Sequence, residues 1–222
     1  MKQISRCSRY LNEFPGMVSV AYGMAFRIDD SLLKRDASHE PVQARIGQVM
    51  DWRDALVERY PVLLRDGSGR AVGRPGVGDG WARIVVRAIG RILAAGSSTG
   101  DAVRILGIAE KYGTLRISID VSHRSTAVAA IEEAVALAEA ASECTCDICG
   151  GEGMLYESGN VLSTRCVAHG AGAPVPVSPG WENIRIVRHV KAGKVRTVSC
   201  RRYDRATDTL IDVPPSALGL DE

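Results

Sequence analysis

Cys146-Asp-Ile-Cys149-Gly150 and Cys166-Val-Ala-His169-Gly170 are the two segments around which this chain is organised. Each segment places two metal-ligating side chains three positions apart, followed by a glycine, which permits the positive backbone angle of a tight turn. Thiolates and imidazole suit tetrahedral Zn²⁺, and a site with four protein ligands has no open position for a substrate. The alternative is two unrelated thiol pairs in a reduced core. The spacing favours a structural zinc site with the ligands Cys146, Cys149, Cys166 and His169.

The composition indicates an aliphatic core and little net charge. Of the 222 residues, 45% are hydrophobic, but only 5% are aromatic, and the net charge is +2. Four of the six cysteines lie between residues 144 and 166, which favours metal binding in a reducing cytosol over a disulfide framework. No window resembles a membrane span, and the N-terminus lacks the apolar block of a secretory signal. We therefore expect a cytoplasmic protein without membrane contact.

Two segments carry the apolar periodicity of amphipathic helices. The first covers residues 80–95 and is expected to end at Gly96. The second, capped by Ser125 or Thr126, is expected to run to about Glu143 and to lead directly into the first cysteine pair. The apolar stripes are expected to pack together through Trp81, Ile84, Val85, Ile92, Val128, Ile131 and Val135. The acidic residues of the second helix are expected in solvent: Glu132, Glu133, Glu139 and Glu143.

Strands and a short helix complete the predicted body. Residues 103–108 and 114–120 read as paired strands, the second with clear alternation of apolar and polar side chains. Residues 51–60 are expected to form a short helix that Pro61 stops. The predicted fold class is α+β, with two amphipathic helices on a small antiparallel sheet, a zinc knuckle and an appended C-terminal β-hairpin.

Glycine recurs between residues 66 and 80, which predicts a loop. The segment Gly76-Val-Gly-Asp-Gly80 precedes a helix, as phosphate-binding loops do, but no Gly-Lys-Ser/Thr follows it. We therefore expect a plain turn in which Asp79 caps the helix.

The C-terminal part of the chain predicts a basic β-hairpin, with strands over residues 184–190 and 194–203 and a possible third strand over 210–213. Eight Lys/Arg and one acid lie between residues 184 and 205, a local charge of +7. Strand alternation divides these side chains between two faces, so a single cationic face requires a bulge or turn. The candidate binding residues are Arg185, Arg188, Lys191, Lys194, Arg196, Arg201 and Arg202.

These patterns divide the chain into four segments. Residues 1–49 are expected to be an N-terminal extension, and residues 50–170 the α+β core with its metal site. Residues 171–183 are expected to be a Pro/Gly linker, and residues 184–222 the basic hairpin appendage.

Several motifs follow one another in a fixed order: Glu58-Arg-Tyr-Pro-Val-Leu-Leu64, Val77-Gly-Asp-Gly-Trp81, Glu110-Lys-Tyr-Gly-Thr-Leu-Arg116, and the two metal-ligating segments. In this order they resemble a widespread family of small bacterial proteins that are common in phages and prophages. The resemblance covers roughly residues 51–170, and the two ends of the chain depart from the pattern. It implies a zinc knuckle and a compact α+β body.

Catalysis is the least favoured class of function. The sequence has no nucleophile elbow, no His-Glu-x-x-His and no Walker loop. A zinc-knuckle nuclease stays as an alternative, but it needs a metal-binding histidine pair on a nearby hairpin, which the sequence does not show. The sequence therefore favours a protein that is not an enzyme.

Two binding functions are weighed against each other. The phage-like resemblance favours a protein that binds a host protein or complex, for example to inhibit host defence. The basic hairpin favours nucleic-acid binding through phosphate contacts, with Tyr203 available for stacking. The same charges are also expected on a solvent-exposed edge hairpin with no binding function, where they would only prevent aggregation. We place the host protein first and nucleic acid second.

Overall fold

The computed structural model describes residues 50–100, 102–122, 126–191 and 194–220, without the side chains of residues 189–191 and 194–198. The predicted N-terminal extension and the candidate cap Ser125 lie outside the described residues. Within them the chain forms four α-helices and three small sheets, which confirms the mixed α+β class. No helix in this part of the chain is both long and apolar enough to cross a membrane.

Two short helices begin the described chain: α1 (Trp52–Arg59) and α2 (Pro61–Leu64). The Asp51 carboxylate accepts a hydrogen bond from the Arg53 N–H at 2.8 Å and so caps α1. Pro61 stops α1 as predicted, but it also begins α2, because the first helical position needs no N–H donor.

The first sheet contains β1 (Pro75–Gly76), β2 (Val103–Lys111) and β3 (Thr114–Val121). The predicted pair, β2 and β3, is antiparallel and has a bulge between Ile105 and Gly107. Its turn uses positive φ angles at Tyr112 and Gly113. β1 pairs with β2 in parallel. The sheet is therefore mixed, whereas a purely antiparallel sheet was predicted.

The main core lies between this sheet and the helices α3 (Ala82–Thr99) and α4 (Val128–Glu143). The predicted stripes are buried in it, except that Val128 is only partly buried. The prediction that Gly96 ends α3 was wrong, because this glycine is buried within the helix and Gly100, at φ +73°, ends it instead.

Two expectations for α4 concern its start and its acidic face. Ala127 stands directly before the helix, so Thr126 is not the capping residue, and the other candidate, Ser125, lies outside the described residues. Glu139 is only 8% exposed rather than solvated, because arginines from two strands surround its carboxylate.

A second sheet lies between and after the two metal-ligating segments. It comprises β4 (Met154–Ser158), β5 (Val161–Arg165) and β6 (Ala173–Pro174), with β4 in the centre. The β4–β5 hairpin was not predicted. β6 lies within the expected linker, so part of that segment pairs with the sheet rather than being free.

The third sheet comprises β7 (Ile184–Lys191), β8 (Lys194–Asp204) and β9 (Thr209–Val213), which agrees with the predicted hairpin and additional strand. A bulge lies between Val187 and Arg188. One face covers a small cluster formed with Leu218, whereas Tyr203 of β8 belongs to the main core. The sheet therefore packs on the body of the protein.

Candidate metal centre

The four predicted metal ligands lie together at the base of the β4–β5 hairpin. Their ligand atoms all lie within 4.8 Å of one another. The sulfur atoms of Cys149 and Cys166 are 3.7 Å apart. The Nδ1 atom of His169 lies 3.2 Å from the Cys166 sulfur and 3.5 Å from the Cys146 sulfur. The fold therefore brings two segments with a separation of about twenty positions into one cluster that could hold a metal ion.

These separations fit a shared tetrahedral ion. Metal–sulfur bonds of about 2.3 Å at the tetrahedral angle place two sulfur atoms about 3.8 Å apart. A disulfide would instead bring them to about 2.05 Å. The 3.7 Å between Cys149 and Cys166 agrees with the first arrangement. Three thiols and one imidazole also have the donor chemistry that zinc prefers.

Each ligating segment forms a tight turn, and we call residues 146–150 the first knuckle and residues 166–170 the second. The N–H of Gly150 donates to the Cys146 carbonyl at 2.9 Å, and the N–H of Gly170 donates to the Cys166 carbonyl at 2.8 Å. Gly150 has the expected positive φ of +74°. Gly170 does not have a positive φ. A glycine is needed there because a Cβ would collide with the ring of Tyr156.

The first knuckle favours a thiolate at Cys146. Burial raises the pKa of this thiol, but hydrogen bonds from the backbone N–H groups of Cys149, Cys166 and Ile148, together with the contact to the His169 ring, outweigh burial and lower the pKa to about 6. Since the thiolate is the ligating form, this arrangement prepares the deepest of the sulfurs for a cation. Cys144 is buried but lies outside the cluster, as predicted.

The glycine-rich loop packs against the first knuckle. A Cβ on Gly78 would collide with the carbonyl of Asp147, and a Cβ on Gly80 would collide with the carbonyl of Cys146. The N–H of Gly80 donates to the Asp147 carbonyl at 2.8 Å, and the indole N–H of Trp81 donates to the Thr145 carbonyl at 2.7 Å. The sequence singled out these glycines without finding this role, because the contact joins segments more than sixty positions apart.

Asp79 has a different role from the predicted helix cap. Its carboxylate accepts hydrogen bonds from the Trp52 indole at 3.0 Å and from the Arg53 guanidinium at 2.8 Å. Trp81, not Asp79, stands directly before α3, and the helix continues from a 3₁₀ turn over Asp79–Trp81. Asp79 therefore ties the loop to α1.

The β2–β3 turn contacts the metal-binding region from another side. The Thr164 hydroxyl donates to the Gly113 carbonyl at 2.6 Å, and the Thr164 carbonyl accepts from the N–H of Asp147 at 3.1 Å. Arg165 forms an ion pair with Asp147 at 2.8 Å. Two of the motifs noted in the sequence, residues 77–81 and 110–116, thus contact the metal-binding region directly.

The basic hairpin directs two of its candidate binding residues toward α4. Arg185 donates to the Glu139 carboxylate at 2.8 Å. Arg201, which lies opposite Arg185 in the strand register, makes two hydrogen bonds of 2.6 Å with Glu133. The sequence predicted that the acidic face of α4 would be exposed to solvent. The positive charges of the hairpin were the signal that could have indicated its pairing with these carboxylates.

The other candidate residues on the hairpin are not gathered with these two. Arg188 and Arg202 are exposed, and Arg202 donates to the Gly180 carbonyl at 2.8 Å. The side chains of Lys191, Lys194 and Arg196 lie outside the described part of the structure.

No protein-family model, curated protein or solved structure matches this chain. The kind of site is therefore inferred from the positions and chemistry of its own residues. It is a Cys₃His cluster, supported by a three-stranded sheet, that could bind a metal ion.

Proposed function

We propose that the protein is a non-enzymatic binding protein whose second sheet is held in place by a structural Zn²⁺. The observation that carries this proposal is the closed set of four donor atoms within 4.8 Å, contributed by Cys146, Cys149, Cys166 and His169. Three thiolates and one imidazole favour zinc, and four protein ligands fill a tetrahedral shell. The ion would then fix the two knuckles relative to each other and would activate no water or substrate.

The surface beside this cluster favours contact with another protein. Ile148, in the first knuckle, is 47% exposed, and Val167, in the second knuckle, is 83% exposed. Knuckles fixed by an ion present such apolar side chains at little entropic cost on binding, because their backbone is already ordered. The resemblance to phage and prophage proteins supports a host protein or complex as the partner.

Two arginines of the basic hairpin are paired with carboxylates of α4, which makes nucleic acid a weaker candidate partner than protein. Arg185 and Arg201 bind carboxylates of α4, so their charge is partly neutralised within the chain. Phosphate contacts require cations that are free to replace counterions. Arg188 and Arg202 remain exposed and keep nucleic-acid binding as the second candidate.

A capture experiment with surface variants tests the protein-binding proposal. Tagged wild type and the double variant Ile148→Asp/Val167→Asp are incubated with bacterial host lysate, with and without nuclease. We expect a bound protein that survives nuclease treatment and is lost from the double variant, while the metal content is unchanged. Val161→Asp is the matched control, because Val161 is 66% exposed at the opposite end of the same hairpin. Capture that disappears with nuclease and is unaffected by the double variant would support nucleic acid instead.

A further inference from the structure

We propose that Cys149 is a site of oxidation by hydroperoxides, and that the resulting Cys149–Cys166 disulfide releases the metal ion. This inference rests on the proposed metal site and adds a modification and its consequence. It follows from the unequal exposure of the sulfur ligands and from the distance between two of them.

The three cysteine ligands differ in access to solvent. Cys146 is 0% exposed, Cys166 is partly buried, and Cys149 is exposed. Oxidation of cysteine follows thiolate character and exposure, and metal ligation keeps the sulfur in its thiolate form. A hydroperoxide in solution therefore reaches Cys149 before it reaches the other two.

Cys166 is the cysteine placed to complete a disulfide with Cys149. Their sulfur atoms are 3.7 Å apart, so formation of an S–S bond of about 2.05 Å needs a movement of less than about 2 Å. The Cys146 sulfur is fully buried and therefore less accessible. Cys144 is 5% exposed, and its sulfur is directed at the carbonyls of α4.

The chemistry proceeds in two balanced steps. The Cys149 thiolate attacks the peroxide, forms an S–O bond and breaks the O–O bond, which gives a sulfenic acid and hydroxide. The Cys166 thiolate then attacks the Cys149 sulfur, forms the S–S bond and expels a second hydroxide. In total, two thiolates lose two electrons to one hydrogen peroxide, whose two oxygen atoms leave as two hydroxide ions that the buffer protonates to water.

Loss of the ion follows from loss of half of its ligands. A disulfide sulfur is not a thiolate and no longer binds the cation as one. Only Cys146 and His169 would then remain, which are too few for a structural site. The two knuckles would be joined covalently in place of the ion.

The test begins with the zinc-loaded 222-residue chain and a measurement of its metal content. Hydrogen peroxide is then added, zinc release is followed with a chromophoric chelator, and the products are digested with trypsin and Asp-N. Cleavage after Arg165 and before Asp147 separates the three cysteines into different peptides. We expect loss of the ion together with a peptide pair linked through Cys149 and Cys166. Retention of zinc, or a disulfide that involves Cys146 or Cys144, would overturn the proposal.

Two histidine variants provide matched controls, since each keeps four metal-ligating side chains. Cys149→His should retain its zinc in peroxide, whereas Cys146→His should still form the disulfide and lose the ion. If a variant takes up no metal, the disulfide mapping of the wild type decides by itself. A wild type without metal before oxidation would contradict the proposed function, whereas a zinc-loaded protein that keeps its ion in peroxide would contradict only this inference.

Discussion

Gly80 shows how a single residue couples the hydrophobic core to the candidate metal centre. Its backbone lies against the first knuckle, one position before Trp81, which is fully buried in the core. The Trp81 indole then donates to the Thr145 carbonyl, immediately before the ligand Cys146. The loop therefore supports the first knuckle through direct backbone and side-chain contacts.

The variant Gly80→Ala should both destabilise the protein and weaken metal binding. The added Cβ would collide with the Cys146 carbonyl and with the Gly150 N–H, so the loop and the knuckle must separate. We expect a loss of about 1–3 kcal/mol in the free energy of unfolding. Denaturant unfolding and a zinc titration measure the two effects.

Gly67→Ala is the control for this loop variant, because nothing lies within 4 Å of its added Cβ. It should be neutral or stabilise the protein by up to about 1 kcal/mol. Equal behaviour of the two variants would show that the loop does not support the knuckle.

Glu143, at the end of α4, should make stability depend on pH. Burial raises its pKa to about 7, against the attraction of Arg185 and Arg116. The ordinary pKa of glutamate in an unfolded chain is about 4.3. Because the folded state therefore binds more protons between about pH 4.3 and pH 7, the free energy of unfolding should fall as pH rises through this window.

Glu143→Gln should remove this contribution. Denaturant unfolding at about pH 5 and about pH 8 should show wild type losing stability relative to the variant as pH rises. Any loss of metal at low pH lowers the stability of both proteins equally, so it does not affect the difference between their free energies of unfolding. Parallel changes in the two proteins would mean that the Glu143 carboxylate is ionised throughout.

At the scale of elements, the packing of α3 against α4 depends on Ile131. This side chain is 0% exposed and lies in the main core. Ile131→Ala should lower the free energy of unfolding by about 2–5 kcal/mol, because it leaves a cavity between the helices. Val62→Ala, at an 86% exposed position of α2, should change it by less than about 0.5 kcal/mol. Denaturant unfolding measures both, and similar values would contradict the packing described above.

The ion pair between Arg201 and Glu133 should contribute to the attachment of the third sheet to α4. Both side chains are largely buried, at 13% and 18% exposure. Arg201→Glu places two carboxylates together and should cost about 1.5–3 kcal/mol of stability. The exchanged pair Arg201→Glu/Glu133→Arg should recover most of that loss, whereas Arg202→Glu should have little effect. If the exchanged pair is no more stable than the single variant, the contact is not a specific ion pair.

The elements that the sequence predicts correctly are those whose signal is local. The alternation over residues 114–120 identifies β3, and the apolar stripe that includes Ile131 identifies α4. The end of α3 was misplaced because a buried Gly96 and a terminal Gly100 are alike in sequence, and only packing distinguishes them. The β4–β5 hairpin had a usable signal in Gly159-Asn160, a turn pair between two short strand-like segments.

The parts that the sequence could not predict depend on contacts between distant segments. The cluster of four candidate ligands follows from spacing alone, since each pair is local and the donor chemistry is distinctive. The role of Gly80 requires a neighbour about seventy positions away, and the pairing of Arg201 with Glu133 spans 68 positions. Charge patterns indicate that such pairs can form, but not which residues face each other.

For the whole molecule, several contacts join the third sheet to the body. Asp208, in the turn before β9, binds Arg91 at 2.6 Å, Arg87 at 3.1 Å and the Tyr203 hydroxyl at 2.8 Å. Arg205 donates to the carbonyl of Gly150 in the first knuckle at 3.2 Å. The third sheet therefore contacts both the core and the metal centre, and the division into four segments stays a prediction.

A metal ion at the cluster is the central feature of the proposed function, so elemental analysis of the purified protein is the decisive measurement. We predict one zinc per chain in the wild type and in Cys144→Ser, because Cys144 lies outside the cluster. Cys149→Ser should lower the zinc content and destabilise the fold, since structural zinc contributes its binding energy to folding. Much less than one metal ion per chain in the wild type, or an equal loss in the two serine variants, would contradict a structural zinc site at this cluster.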